Sequence, residues 1–70
     1  MILVFKTNVS DISDIKTLKP FLDKYIKNSI WDFDLEDCDR VLRIESETEI
    51  KEVTIKLLQD NGYDCEELPH

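Results

Sequence analysis

Residues 29–45 have the sequence SIWDFDLEDCDRVLRIE, and this pattern predicts two β-strands joined by a polar turn. Apolar and acidic residues alternate over 29–35, and a second alternating run covers 40–45, as expected for strands with one buried face. The turn at 36–39 contains only acidic residues and Cys38. The residues predicted to point inward are Trp31, Phe33, Leu35, Leu42 and Ile44. The sequence therefore predicts a β-hairpin over 29–45.

The residues before the hairpin predict a strand followed by a helix. Strand 1–9 alternates, and its predicted buried residues are Leu3, Phe5, Thr7 and Val9. Asp11 supplies a side chain suited to a helix N-cap. Apolar residues then recur at helical spacing over 12–26, namely Ile12, Ile15, Leu18, Leu22, Tyr25 and Ile26. Pro20 lacks a backbone donor, so we expect it to kink this helix or divide it.

The residues after the hairpin predict a second helix and a last strand. Ser46 and Glu49 have the spacing of a capping box, which predicts a helix start. That helix covers 47–61, buries Ile50, Val53, Leu57 and Leu58, and ends at Asn61-Gly62. A short strand over 63–68 ends before Pro69.

The element order β-α-β-β-α-β fills the chain of 70 residues and predicts one domain over 1–70. Right-handed crossovers then give a ferredoxin-like α/β (α+β) sandwich. Its four-stranded antiparallel sheet has the order 4-1-3-2, with both helices on one face.

The charge balance of the chain disfavours two classes of binding partner. Nine basic residues against sixteen acidic ones give a net charge of −7, which opposes binding to nucleic acid or to an anionic membrane. The apolar run at residues 1–5 is too short for a signal or transmembrane segment. We therefore expect a cytoplasmic protein with Cys38 and Cys65 reduced.

Four short stretches carry a resemblance to a known family. They are Trp31-x-Phe33, Asn61-Gly62-Tyr63, Lys6-Thr7-Asn8-Val9 and Lys19-Pro20-Phe21-Leu22. With the element order, they make the whole chain resemble the heavy-metal-associated domains of copper chaperones and metal-pumping ATPases. The last two stretches are similar to a bacterial subgroup of small stand-alone members. The resemblance implies the same fold and a role in metal transfer.

The family's motif, Gly-Met-x-Cys-x-x-Cys, lies between the first strand and the first helix. On this sequence Asn8 takes the glycine position, Val9 the methionine position, and Asp11 and Asp14 the two cysteine positions. Cu(I) needs soft thiolates, and carboxylates are hard ligands. We therefore expect no Cu(I) and no resident cofactor. Asp11 would cap the helix, and the negative charge of Asp14 would interact favourably with the helix dipole. The alternative is weak metal binding by this pair.

The predicted topology also gathers carboxylates at the motif end, where three loops meet. This acidic rim comprises Asp11, Asp14, Glu36, Asp37, Asp39 and Asp60. Residues 1–28 carry a net charge of +2 and residues 29–70 a net charge of −9. The rim is either a set of solvated loop ends, a Ca²⁺ or Mg²⁺ site, or a surface for a basic protein. Of the two functional readings, we favour protein docking.

The open sheet face is a second candidate surface, carrying the apolar residues Ile2, Val4, Ile30 and Val41. They are either ordinary surface residues or a contiguous patch for a partner or homodimer. Cys65 is expected to be buried and Cys38 exposed, too far apart for a disulfide. The only histidine, His70, is expected to be disordered.

No Ser/His/Asp set or Gly-rich phosphate loop is present, so we do not expect an enzyme. The expected function is a non-enzymatic binding module that acts through protein contacts. The alternative is a metal carrier that uses carboxylates, Cys38 or Cys65.

Overall fold

The computed structural model describes residues 1–69, so the expectation for His70 lies outside the described residues. The chain folds into four strands and two helices in the predicted order. They are β1 (Ile2–Thr7), α1 (Ile12–Tyr25), β2 (Ile30–Asp34), β3 (Val41–Glu45), α2 (Lys51–Asp60) and β4 (Cys65–Glu67).

The strands form one antiparallel sheet of order β2-β3-β1-β4, which is the predicted order 4-1-3-2 in reverse direction. In the centre, Phe5 lies opposite Leu42, and Leu42 lies opposite Phe33. Because side chains alternate between the two faces of a strand, these three residues share the face that the helices cover. The predicted α+β sandwich is therefore confirmed.

The core lies between the sheet and the helices. Phe5, Leu42 and Ile44 from the sheet are fully buried, as are Leu18 and Leu22 from α1. The residues predicted to be buried in the first strand, including Thr7 and Val9, are all buried. Trp31, Phe33 and Leu35 are half-buried and pack against this core. Strand alternation thus predicted the inner face of the sheet correctly.

Three residues predicted to be buried on the helices are exposed instead. Ile12 and Tyr25, the first and last residues of α1, are 66% and 55% exposed, whereas Ile26 just beyond the helix is 2% exposed. Val53 of α2 is 46% exposed. It lines a groove of about 470 Å³ left between the two helices, so α1 does not cover it.

The predicted capping box is wrong. The backbone N–H of Ser46 donates to the carbonyl of Met1 at 2.9 Å, and the amino group of Met1 donates back to Ser46 at 2.6 Å. This exchange holds Ser46 beside the first strand, so α2 begins later, with Ile50 as an N-cap that has no side-chain hydrogen bond. Glu49 instead accepts from the Lys51 N–H at 2.8 Å.

Pro20 does not divide the first helix, which is continuous from Ile12 to Tyr25. Pro20 is exposed, so its ring needs no space in the core. The predicted end of α2 is confirmed, since Asn61 is its C-cap and Gly62 has a φ of 88°. A positive φ of this size favours glycine.

Candidate functional site

Three loops meet at one end of the molecule, which we call the loop end: residues 8–11, 35–40 and 61–64. The Asp64 N–H donates to Asn8 Oδ1 at 2.8 Å, joining the last loop to the first. The guanidinium of Arg40 donates to the Ser10 carbonyl at 3.2 Å, joining the hairpin loop to the first. The predicted convergence of the three loops is therefore confirmed.

Asp11 caps α1. Its Oδ1 atom accepts from the Asp14 N–H at 3.2 Å and from the Ser13 hydroxyl at 2.8 Å. The backbone of Asp11 is extended, with a φ of −154°, as expected for an N-cap residue. The carboxylate thus satisfies one of the free N–H groups of the first helical turn.

Asp14 lies in the first turn of α1 and uses both of its oxygens. Oδ1 accepts from the Tyr63 hydroxyl at 2.7 Å, and Oδ2 accepts from the backbone N–H and the hydroxyl of Ser10 at 3.0 and 2.8 Å. The Tyr63 hydrogen bond is the main reason that the pKa of Asp14 falls to about 2, and the Ser10 bonds add to it. The same contact raises the pKa of Tyr63. Asp14 is therefore a structural acceptor that joins α1 to the last loop.

The carboxylates of the hairpin accept hydrogen bonds from the backbone of its own loop. Asp34 Oδ1 accepts from the N–H groups of Glu36 and Asp37 at 3.1 and 3.3 Å. Asp37 Oδ1 accepts from the Asp39 N–H at 2.8 Å, and Asp39 forms an ion pair with Lys6 at 3.8 Å. The Glu36 side chain is exposed.

Arg40 is a residue that the sequence interpretation missed. Its φ is 48°, and its guanidinium donates to the carbonyls of Ser10 and Leu35 at 3.2 and 3.1 Å. The Thr7 hydroxyl donates to the Arg40 carbonyl. Its one sequence signal is that it is the first cation after the acidic turn 36–39. Arg40 attaches the hairpin loop to the loop that carries Asp11.

Asp60 differs from the other predicted members of the acidic rim. It is the last residue of α2, pairs with Lys56 at 3.7 Å and lines the groove between the helices. Phe21 and Tyr25 of α1 line the same groove and are 40% and 55% exposed. The loop end itself carries Asp11, Glu36, Asp37, Asp39 and Asp64, with Asp14 in the adjoining first turn of α1.

The described chain contains one group of three or more adjacent side chains of the metal-binding types, and it does not include Asp11 or Asp14. It consists of Asp37, Cys38 and Asp39, whose ligand atoms lie within 4.8 Å of one another. Cys38 is exposed and Cys65 is buried, both as free thiols, as predicted. Burial raises the pKa of the Cys65 thiol to about 12, so Cys65 is a protonated core residue.

The open sheet face carries fewer exposed apolar residues than predicted. Ile2 and Ile30 are 50% and 73% exposed, but both lie opposite Glu45, which separates them. Val41 is only 8% exposed. Its strand β3 is central, and Asp34 on β2 lies directly opposite it, so neighbouring strands cover it. The expectation that Val41 contributes an exposed surface is therefore wrong.

No known family model matches the chain, and no curated protein matches it either. Within residues 1–69, no helix is both long and apolar enough to cross a bilayer.

Proposed function

We propose that the chain is a non-enzymatic binding module of the heavy-metal-associated type in which the thiolate pair has been replaced by structural carboxylates. It works through protein contacts at the loop end, and its partner presents a basic surface. The observation that carries the proposal is the hydrogen bonding of Asp14. Both of its oxygens accept bonds from Ser10 and Tyr63, so this position serves the fold.

Charge at the loop end supports a basic partner. Glu36, Asp37 and Asp39 lie on a loop that Arg40 and Asp34 hold in place. A fixed loop loses less conformational entropy on binding than a mobile one. Exposed carboxylates steer a basic partner towards the surface, and salt weakens this attraction because the Debye length is about 8 Å at physiological ionic strength. The free thiols of Cys38 and Cys65 fit a cytoplasmic location.

The test is calorimetric titration of the protein with a short oligolysine peptide at rising salt. Glu36→Lys reverses a charge on the hairpin loop without removing a hydrogen bond of its side chain. The matched control is Glu47→Lys, an exposed carboxylate in the loop before α2. We expect binding that weakens with salt and is lost in Glu36→Lys but kept in Glu47→Lys. Equal losses in the two variants would contradict docking at the loop end.

A metal carrier is the second candidate, favoured by the grouping of Asp37, Cys38 and Asp39. A Cu(I) titration against a competing chelator separates the two functions. Protein docking predicts no tight stoichiometric binding, since one thiolate with two carboxylates is a poor set for a soft ion. Tight binding that disappears in Cys38→Ser would make the chain a metal carrier.

A further inference from the structure

The sheet has two edges, and they differ. β4 is an edge of three residues with Pro69 close behind it. β2 is an edge of five residues without proline, and within the described chain it pairs with β3 alone. The outer side of an edge strand presents backbone N–H and C=O groups to which another strand can bind. β2 is therefore the edge better suited to strand addition.

The two faces of β2 offer different contacts along this edge. Asp32 and Asp34 lie on the open sheet face, and the Asp32 side chain is 68% exposed with Arg43 at 3.9 Å. On the helix face, Trp31 and Phe33 are half-buried and pack edge to face, with ring centroids 5.9 Å apart. A strand beside β2 would meet Ile30 and the two carboxylates on one face, and on the other the aromatic rings, with the Lys19 ammonium of α1 5.7 Å from the Trp31 ring centroid.

These charges disfavour a second copy of the chain as the added strand. Antiparallel pairing of two β2 strands about Asp32 would place Asp32 opposite its own copy. Like charges directly opposite each other destabilise a sheet, and each chain carries a net charge of −7. A foreign strand with basic residues would instead place opposite charges beside Asp32 and Asp34.

We propose that the β2 edge binds an extended segment of a partner protein in which basic and apolar residues alternate. The segment adds a fifth strand: its basic side chains lie beside Asp32 and Asp34, and its apolar side chains lie beside Trp31 and Phe33. This names the partner class of the proposed function and rests on it. The two surfaces are continuous, because β2 runs directly into the hairpin loop that carries Glu36.

The experiment uses a short synthetic peptide of alternating lysine and valine as the probe. One control peptide has the same composition with the lysines and valines in two blocks, and another carries backbone N-methyl groups that prevent strand pairing. The protein variants are Asp32→Lys and, as the matched control, Glu66→Lys, which makes the same charge change on β4. Affinity is measured by titration, and hydrogen exchange is measured for the backbone amides of β2.

We expect the alternating peptide to bind the protein and to slow hydrogen exchange of the β2 backbone amides. It should bind the Asp32→Lys variant about tenfold more weakly, because the charge pair between a peptide lysine and Asp32 becomes a repulsion. Glu66→Lys should change affinity far less, and N-methylation should abolish the slowed exchange on β2 and weaken binding. Equal effects of the two variants, or equal binding of the N-methylated peptide, would overturn strand addition. Binding that is lost only in Glu36→Lys would overturn it and leave docking at the loop end intact. If neither the alternating lysine–valine peptide nor the oligolysine peptide binds, strand addition and docking at the loop end are both overturned.

Discussion

Asp14 joins segments that are far apart in the sequence. It belongs to the first turn of α1, and its carboxylate accepts from Tyr63, which lies 49 positions later. A hydrogen bond to an ionised acceptor is stronger than one between neutral groups. The pKa of Asp14 is about 2, against an ordinary 3.8, chiefly because of Tyr63. The native state therefore favours the ionised form.

This lowered pKa predicts a loss of stability in acid. A carboxyl group whose pKa is lower in the folded state stabilises the protein above its unfolded pKa, and this contribution disappears as the pH falls through the folded pKa. For Asp14 the window lies between about pH 4 and pH 2. In Asp14→Asn we expect a melting temperature lower by a few degrees at neutral pH and a smaller further fall across the window. Thermal melts of both proteins from pH 6 to pH 2 measure this, and parallel curves would contradict it.

The N-cap role of Asp11 predicts a second effect of a single substitution on stability. In Asp11→Ala the α1 N-cap loses its acceptor, which should lower the free energy of unfolding by about 1 kcal/mol. For a domain of this size, that corresponds to a melting temperature lower by about 4–8 °C. Glu47→Ala removes the same charge from an exposed residue outside both helices and should have little effect. If the two variants melt alike, Asp11 is not an energetically significant cap.

Among the elements, α1 contains the least favourable residue for its structure. Pro20 lies in the helix interior, where proline is about 3 kcal/mol less favourable than alanine. Part of this cost is offset because proline also restricts the unfolded chain. Pro20→Ala should therefore raise the free energy of unfolding in urea by about 2 kcal/mol, with Lys16→Ala as an exposed control that changes it by less than about 0.5 kcal/mol. A destabilised Pro20→Ala would show that the proline has a role in packing.

Local patterns predicted the elements well and their ends less well. Alternation predicted the buried residues of β1 and the inward residues Leu42 and Ile44 of β3, because it depends only on which side of a strand faces the core. The capping box at Ser46 failed because a long-range pair of hydrogen bonds with Met1 holds Ser46 beside the first strand, just beyond the end of β3 at Glu45. The exposure of Val53 depends on the distance between the two helices. The spacing of apolar residues along one helix carries no information about that distance.

In the candidate site too, local features could be predicted from the sequence and long-range contacts could not. The capping role of Asp11 follows from its place before an apolar helical run, so sequence alone predicted it. The bond between Asp14 and Tyr63 joins α1 to the last loop, and the contacts of Arg40 join the hairpin loop to the first loop. Neither leaves a local pattern. The burial of Val41 likewise depends on the strands on both sides of it.

For the molecule as a whole, the proposed relationship to heavy-metal-associated domains predicts that a metal site can be restored. Asp11→Cys combined with Asp14→Cys places two thiols at the family's cysteine positions, on the first turn of α1. We expect this double variant to bind one Cu(I) tightly and to be less stable without metal, because the cap and the Tyr63 acceptor are both lost. The single variant Asp14→Cys should bind much more weakly. A folded double variant without tight Cu(I) binding would contradict the relationship.

The melting temperature of the unmodified protein, with millimolar Ca²⁺ and with a chelator, tests most directly whether the carboxylates of the loop end serve the fold or a cation. A cation present at about 100 times its Kd would stabilise the native state by about 2.7 kcal/mol, raising the melting temperature by about 10–20 °C. Because Asp14 already accepts from Ser10 and Tyr63 and Asp11 caps α1, we predict the same melting temperature in both conditions. A clear rise with Ca²⁺ that disappears in the variant combining Asp11→Asn and Asp14→Asn would contradict this account.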